Sequence, residues 1–247
     1  MKLTKYKNSN MNDFIVKPID NIQTKEWYIK KHYAKRYPMV VHSFGLFDKY
    51  NILQGVLSYG MPPSPSINNG KSILKTIRVK TIELNRVCIN DGLPKNICSF
   101  FISKSFDFLE RPLLIISFAD PFYNHNGYIY QASNFYYTGK SEVSSTKNLH
   151  VLWNGKILSS RWLNKKFFTD KKLPFDDNKT VKENLIINGG DFINFGTKHR
   201  YVYILANKSF KKKILKDFKK PILSYPKGDN KRYDSSYLPS INLNLFL

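Results

Sequence analysis

Segments with the patterns of strands and helices alternate in the middle of the chain, and this alternation most constrains the fold. Thr81–Ile89 has the apolar pattern of a strand, and Asp91-Gly92-Leu93-Pro94 breaks it. Asn96–Leu109 then places apolar residues at helical spacing. Pro112–Phe118 is a continuous apolar run of the buried-strand type. Gly127–Asn134 then predicts a short helix that leads into a strand at Phe135–Tyr137. The chain is therefore expected to form an α/β (α+β) domain with a mixed central sheet flanked by helices.

The flanking sequence predicts further elements of the same domain. Glu26–Tyr37 is expected to be a helix that ends before a proline. Val40–Phe47 and Ile52–Tyr59 predict a β-hairpin. His199–Leu205 predicts one last strand, and Lys208–Lys220 predicts a basic amphipathic helix over the core.

Composition shifts along the chain predict how these elements are grouped. Residues 1–24 are expected to be a flexible lead-in, and residues 25–140 the core of the domain. The sequence from 141 to 195 is polar, basic and rich in Asn, which predicts an insertion or a mobile flap. Residues 196–227 are expected to complete the core with the final strand and the basic helix, and residues 228–247 to form a tail.

The charge of the chain indicates a polyanionic partner. Its 247 residues include 40 Lys and Arg against 18 Asp and Glu, a formal net charge of +22. Nucleic acid and an anionic membrane surface both satisfy this charge. No apolar stretch reaches spanning length and the N-terminus lacks the pattern of a signal peptide, so nucleic acid and a cytoplasmic location are favoured over a membrane.

Residue usage adds support and one alternative. The 16 Tyr and 18 Phe interleave with basic residues, a combination that suits base stacking and phosphate contact. An AT-rich genome would supply a similar composition without any such role. Cys88 and Cys98 lack CxxC spacing and a neighbouring His cluster, so no disulfide framework or zinc module is expected.

Two segments of the core resemble the GNAT acyltransferases. Gly127–Phe135 contains Tyr130-Gln131-Ala132-Ser133-Asn134-Phe135, which is similar to a late GNAT motif whose tyrosine lies near the thioester sulfur. The strand and helix on either side of Gly92 lie where that family holds the pyrophosphate of coenzyme A at a helix N-terminus. The resemblance implies acetyl-CoA or a related acyl-CoA as cofactor, bound through Lys95, Asn96 and Ser99. Gly92 is the single glycine of a loop that is Gly-rich in the family.

A larger set of motifs resembles the Mom family of phage DNA-modification proteins. The motifs occur in one order over residues 26–227: Trp27…His32-Tyr33…Arg36, Glu83-Leu84-Asn85-Arg86, Leu93-Pro94-Lys95-Asn96…Ser99, Ser117-Phe118-Ala119-Asp120-Pro121, Ile129-Tyr130-Gln131-Ala132-Ser133-Asn134-Phe135, His199-Arg200-Tyr201-Val202-Tyr203 and Ser224-Tyr225-Pro226-Lys227. The resemblance implies a GNAT-like enzyme that converts adenine in DNA to N6-carbamoylmethyladenine and so protects phage DNA from restriction. The family's functional residues carry over onto positions inside these motifs: His32, Arg86, Ser99, Asp120 and Tyr130.

Each of these residues also has a structural alternative. A charge such as Arg86 in an apolar strand must be paired, either with a phosphate or carboxylate of a ligand or with an acidic side chain nearby. Asp120 at the end of a buried strand is placed to accept a proton from the adenine amine, or to form a turn into the next proline. Tyr130 is a proton donor, a stacking surface or a core residue. Ser99 contacts a phosphate or caps a helix, and His32 is a base, a DNA contact, a metal ligand or a surface residue.

Partners and rival functions follow from the same features. Basic residues on the last helix and after the first are expected to contact DNA: Lys211, Lys212, Lys213, Lys35 and Arg36. No short ligand motif identifies a metal, although the family resemblance allows iron. An N-acetyltransferase acting on protein, tRNA or a small amine is the first alternative function. A basic DNA-binding protein without enzymatic activity is the second.

Overall fold

The computed structural model of the protein describes residues 10–62, 64–141, 149–159, 163–194 and 196–228. The chain divides into two compact units. The larger unit consists of residues 1–139 and 199–247, and the smaller one of residues 140–198.

Strands and helices of both units are numbered together along the chain. The strands over the described residues are β1 (Phe14–Pro18), β2 (His42–Asp48), β3 (Leu53–Gly60), β4 (Thr81–Ile89), β5 (Leu113–Ala119), β6 (Tyr136–Lys140), β7 (Leu149–Trp153), β8 (Lys156–Ser159), β9 (Asp191–Asn194) and β10 (His199–Leu205). The α-helices in the same ranges are α1 (Pro65–Asn68), α2 (Ile97–Ser105), α3 (Tyr128–Ala132), α4 (Lys165–Asp170), α5 (Val181–Ile187) and α6 (Lys208–Lys216). A π-helical turn covers Trp27–Lys31, and short 3-10 turns cover Met11–Asp13, Asn21–Thr24, Phe106–Phe108 and Pro121–Tyr123.

The larger unit is built on a mixed sheet, as the sequence predicts. Among the described residues the sheet has seven strands in the order β1-β2-β3-β4-β5-β10-β6. β4 and β5 are parallel and are joined by α2, whereas β5 and β10 are antiparallel. The β4–β5 register runs only from Thr81↔Leu114 to Glu83↔Ile116, although β4 continues to Ile89. The two central strands therefore diverge beyond Glu83.

Helices cover both faces of this sheet because successive side chains of a strand point to opposite faces. Ile115 of β5 belongs to one core cluster, together with Phe101 and Ile102 of α2. Leu114 and Ile116, its neighbours, belong to a second cluster with Ile214 of α6. Thus α2 covers one face of the sheet and α6 covers the other.

Two predictions near the N-terminus are wrong. The flexible lead-in predicted over residues 1–24 includes β1, whose Phe14 and Val16 are buried against the core while the strand pairs with β2. The helix predicted over Glu26–Tyr37 is reduced to the turn Trp27–Lys31, because His32 already has extended backbone angles. Residues 1–9 of the predicted lead-in lie outside the described residues.

The smaller unit has its own sheet and core. Within the described part of residues 140–198 the strands form a three-stranded antiparallel sheet in the order β8-β7-β9. Val151 of β7, Phe167 and Phe168 of α4 and Leu185 of α5 are buried together. The segment predicted as an insertion or flap thus contains regular structure, and the predicted tail lies outside the described residues from 229 onward. No helix in the described ranges is long and apolar enough to span a membrane.

Candidate functional site

Arg86 lies at an irregularity in the sheet. Ser58 of β3 pairs with Arg86 while Tyr59 pairs with Leu84, so that Asn85 is the extra residue of a β-bulge. The Asn85 amide fixes the bulge: its Oδ1 accepts a hydrogen bond from Ser58 Oγ (2.7 Å) and its Nδ2 donates to the Met39 carbonyl (2.8 Å).

The guanidinium of Arg86 is only partly satisfied. Its Nη1 donates to the carbonyl oxygen of Asn85 at 2.6 Å. Its Nε is buried and has no hydrogen-bond partner among the described residues. A buried cationic donor without an acceptor is costly, so this atom is suited to an acceptor group on a bound ligand.

The ring of Tyr33 packs against three other aromatic side chains. Its ring centroid is 4.4 Å from that of His32, 4.5 Å from that of His125 and 5.0 Å from that of Tyr123. We call these four residues the Tyr33 cluster. Burial raises the pKa of Tyr33 to about 12, with Arg86 acting in the opposite direction and Asp120 reinforcing the shift. The Tyr33 phenol is therefore neutral at physiological pH and has both Arg86 and Asp120 in its electrostatic surroundings.

His32 is neutral for a physical reason. Burial, followed by the positive charge of Arg86 and the neighbouring His125, Arg36 and Lys35, lowers the pKa of His32 well below its usual value. Its Nδ1 accepts a hydrogen bond from the Ala34 amide at 3.1 Å, which assigns the proton of the neutral ring to Nε2. In this tautomer His32 is a hydrogen-bond donor through Nε2, not a base.

Asp120 follows the carboxyl end of β5 and is 3% exposed. Its carbonyl oxygen accepts hydrogen bonds from the amides of Tyr123 (3.1 Å) and His125 (3.2 Å), and so holds the turn that carries both rings. Its carboxylate contributes to the raised pKa of Tyr123, after burial of that phenol. His32 thus packs on Tyr33, and the charges of Arg86 and Asp120 act on the Tyr33 phenol.

Tyr130 of α3 lies where β4 and β5 diverge. Its ring is 5.3 Å from that of Tyr201 and 5.6 Å from that of Phe135. Burial raises the pKa of Tyr130 above its usual value, and a hydrogen bond with Ser117 of β5 offsets part of the shift. Ser117 Oγ itself donates to the Leu84 carbonyl at 2.7 Å. The Tyr130 phenol is therefore a neutral donor, and its ring also serves as packing.

The three residues predicted to bind the cofactor lie at the N-terminal end of α2. Asn96 has left-handed backbone angles (φ 66°) and contributes no side-chain cap. Ser99 Oγ donates to the Asn96 carbonyl at 2.9 Å, so Ser99 is a first-turn residue of α2 and does not cap the helix. A cavity of about 310 Å³ adjoins this turn, with a lining that includes Asn96, Ser99, Ser103, Ser133 and Tyr203. Lys95 is exposed next to it.

This end of α2 fits the phosphate groups of an acyl-CoA in its donors. The first helical amides lack a side-chain cap, and uncapped amides at a helix N-terminus bind anions. Ser99 and Asn96 do not belong to the Tyr33 cluster. The helix α3 connects the cavity with Tyr130. Ala132 and Ser133 at the end of α3 line the cavity, and Tyr130 is a residue of the same helix.

The residues predicted to contact DNA have different environments. Lys211 Nζ lies over the rings of Tyr136 (5.4 Å) and Tyr203 (5.6 Å), so this side chain is held against the sheet. Lys212 and Lys213 are exposed on α6. Lys35 and Arg36 are exposed after the π-helical turn, and the Lys35 ammonium donates to the Lys30 carbonyl.

The sequence assigns no metal site to the protein, and the structure does not assign one among the described residues. Within the ranges that the structure describes, no group of three or more His, Cys, Asp or Glu side chains is arranged to hold a metal ion.

Sequence reasoning did not single out Tyr33, Tyr123 or Ser117 as site residues. Tyr33 and Tyr123 had a detectable signal, because each follows a predicted site residue within three positions. Ser117 had a weaker one, as a hydroxyl inside an otherwise apolar strand.

Comparison with known proteins agrees with the motif order. One relative, the "Methylcarbamoylase mom" of Escherichia phage Mu, is 34% identical over 120 residues, which cover 45% of this chain and 48% of that protein. The match thus spans about half the length of this relative. A family model described as the Mom protein family matches residues 13–227, nearly the whole of the described chain. The protein therefore belongs to the Mom protein family.

Proposed function

We propose that the protein is a DNA-modifying transferase that attaches a carbamoylmethyl-type group to the N6 amine of adenine. Membership of the Mom family and the name of the phage Mu relative support this chemistry. The observation that carries the assignment to a site is the buried Arg86 Nε without a partner in the described chain, together with the ring packing of the Tyr33 cluster, whose phenol feels the charges of Arg86 and Asp120. The net charge of +22 supports DNA as the substrate.

The target adenine has to leave the base stack to react. Its N6 amine is engaged in base pairing within a duplex, and extruding the base costs a few kcal/mol. Aromatic side chains compensate for lost stacking by about 1–3 kcal/mol per base. The half-buried rings of Tyr33, Tyr123 and His125 supply such surfaces beside Asp120.

Each polar residue has one role in this proposal. Asp120 accepts the proton that N6 loses when its nitrogen forms the new bond. Arg86 binds an acceptor atom of the substrate through Nε. His32 donates through Nε2 and orients the base, because its proton is on that nitrogen.

The donor group is proposed to lie between α2 and the divergent strands, in a GNAT-like arrangement. The short β4–β5 ladder and the uncapped first turn of α2 support this placement. Lys95, Asn96 and Ser99 would hold the phosphates of a CoA-type carrier there. Attack of N6 on a thioester carbonyl would give an N6-acyl adenine, so a carbamoylmethyl product requires N6 to attack the CH2 carbon of a carbamoylmethyl donor while the bond from that carbon to its leaving group breaks. Tyr130 would donate a hydrogen bond to the departing group, since its phenol is neutral.

Mass spectrometry of nucleosides tests the proposal. DNA from cells that express the protein is digested and compared with DNA from cells that express the Asp120→Asn variant. We expect a deoxyadenosine heavier by a carbamoylmethyl group with the wild-type protein alone, and resistance of that DNA to restriction. Unmodified DNA together with acetylated protein or tRNA would instead identify an N-acetyltransferase, and no modified macromolecule would favour a DNA-binding protein.

A further inference from the structure

Two separate chain segments are joined side by side on the α6 face of the sheet. The Lys75 amide donates to the Asp217 carbonyl at 2.9 Å, and the Lys219 amide donates to the Ile73 carbonyl at 2.9 Å. Between these bonds, Leu74 and Phe218 form an antiparallel bridge. Residues 71–78, the first segment, and residues 211–219, the second segment, therefore form one continuous surface.

The Asp217 carboxylate strengthens this junction. It accepts hydrogen bonds from the amide of Thr76 (3.0 Å), the hydroxyl of Thr76 (2.8 Å) and the amide of Ile77 (2.8 Å). The one acidic residue of the second segment is thus used to bind the first segment.

The cations of the two segments are turned to solvent. Ile73, Leu74, Ile214 and Phe218 pack into the same core cluster, which leaves the basic side chains on the outer side. The exposed basic residues that remain form what we call the lysine surface: Lys71, Lys75, Arg78, Lys212, Lys213, Lys216 and Lys219. Lys211 is left out because it is held over Tyr136 and Tyr203.

The arrangement suits a long polyanion better than a small one. Lys212 and Lys216 are four residues apart and so lie on the same side of α6, and Lys219 continues the row beyond the helix end. Like charges in such a row repel one another, and a regular series of phosphates relieves this repulsion. Duplex DNA presents one phosphate per about 1.7 Å of its axis. The lysine surface consists of Lys and Arg residues and includes no aromatic residue. This composition favours contact with the phosphate backbone over stacking on bases.

We propose that the lysine surface is the docking site for the phosphate backbone of duplex DNA. This inference rests on the proposed function, in which DNA is the substrate, and it adds residues 71–78 to the expected contacts. Because α6 and α2 cover opposite faces of the sheet, DNA would approach from the face opposite the cavity at α2.

Salt-dependent binding to a duplex oligonucleotide tests the proposal. The variant carries Lys75→Gln, Arg78→Gln and Lys219→Gln; a matched control carries Lys25→Gln, Lys156→Gln and Lys166→Gln, three exposed lysines elsewhere. Each lost phosphate contact reduces the slope of log Kobs against log salt by about 0.9, so the variant is expected to lose about 2 to 3 units of slope. The control is expected to lose less than about 1 unit on the same principle.

Equal losses in the two variants, or an unchanged slope in the first, would overturn the lysine surface. Binding of the wild-type protein to anionic phospholipid vesicles that depends on the same three residues, without such dependence for DNA, would identify a membrane surface instead. The nucleoside assay separates this inference from the proposed function. If wild-type protein modifies deoxyadenosine but the variant keeps the wild-type salt slope, the proposed function stands and the lysine surface is rejected. If the DNA is unmodified but the variant has a reduced slope, the lysine surface stands and the proposed function is rejected.

Discussion

Ser117 Oγ donates a 2.7 Å hydrogen bond to the Leu84 carbonyl just beyond the last registered pair of β4 and β5. A side chain thus replaces the backbone ladder at the point where the strands separate. Ser117 also hydrogen bonds with Tyr130, so this serine connects β4, β5 and α3. One buried hydroxyl therefore bonds to both β4 and α3 where the strands separate.

Ser117→Ala should destabilise the protein. The substitution leaves the Leu84 carbonyl and the Tyr130 hydroxyl without this partner inside the core, at a cost of about 1–3 kcal/mol. Urea denaturation followed by circular dichroism measures the change. Ser66→Ala, at an exposed position, is the control and should stay within about 0.5 kcal/mol of wild type.

Tyr130→Phe should abolish DNA modification while keeping the fold. The ring still packs on Tyr201 and Phe135, but the hydrogen-bond donor is lost. The readout is modified deoxyadenosine per total deoxyadenosine. Tyr59→Phe removes a fully buried phenol, bonded to Ser105 at 2.6 Å, and should keep the modification. Full activity of Tyr130→Phe would make Tyr130 a packing residue only.

Arg86→Ala should reduce modification at least about 100-fold, the size expected when an electrostatic contact is lost from a reaction centre. DNA affinity should change little, since the single Nε donor adds little to binding by many surface cations. Arg86→Lys should not restore activity because an ammonium cannot reproduce the planar guanidinium. A folded Arg86→Ala protein with normal activity would assign Arg86 to the β-bulge alone.

Asp120→Asn should leave the fold and DNA affinity nearly unchanged and abolish modification. The amide keeps the shape of the carboxylate but cannot accept the proton that N6 loses. The backbone turn should be retained, because the carbonyl oxygen of Asp120 still accepts from the amides of Tyr123 and His125 in the variant. Filter binding and the nucleoside assay on the same preparation separate the two effects, and retained modification would exclude Asp120 as the proton acceptor.

His32 should make stability depend on pH between neutrality and mild acid. Burial and the positive charge of Arg86 lower its pKa in the folded state, so below a pH of about 6.5 the unfolded chain binds the proton more readily. Stability should therefore fall as pH drops below about 6.5, by at most about 1.4 kcal/mol per pH unit, until the folded pKa is reached. Denaturation at several pH values measures this slope. His32→Asn should flatten this dependence of stability on pH, whereas the control His42→Asn, at an exposed position, should not.

The strands of the central sheet were predictable because their apolar runs are long. Leu113–Ala119 is apolar along nearly its whole length, and a strand of that kind has few alternatives once it is buried. β1 was missed because it shows only Phe14 and Val16 to the core and follows a polar, basic segment. The smaller unit was missed for a similar reason, since β8 and β9 have four residues each and little apolar periodicity.

The site was predictable only where a residue type was unusual for its position. Arg86 attracted attention as a charge within an apolar strand, and the β-bulge is the local reason that the strand tolerates it. The backbone of His32 was not predictable, because a histidine followed by aromatic and basic residues is compatible with a continuing helix. Tyr33 and Tyr123 had only the signal of their position after predicted site residues, since most tyrosines in such a sequence serve packing.

The strand order also determines how the protein can assemble during synthesis. β10 lies between β5 and β6 in the sheet, yet it follows both of them and the whole smaller unit in the chain. At about 5–20 residues per second the ribosome exposes β5 and β6 before the strand that joins them exists. The apolar strand β5 therefore has an open edge for several seconds in every nascent chain. A chain released before His199 cannot close its sheet, which makes late truncations a source of aggregation and not of partially active protein.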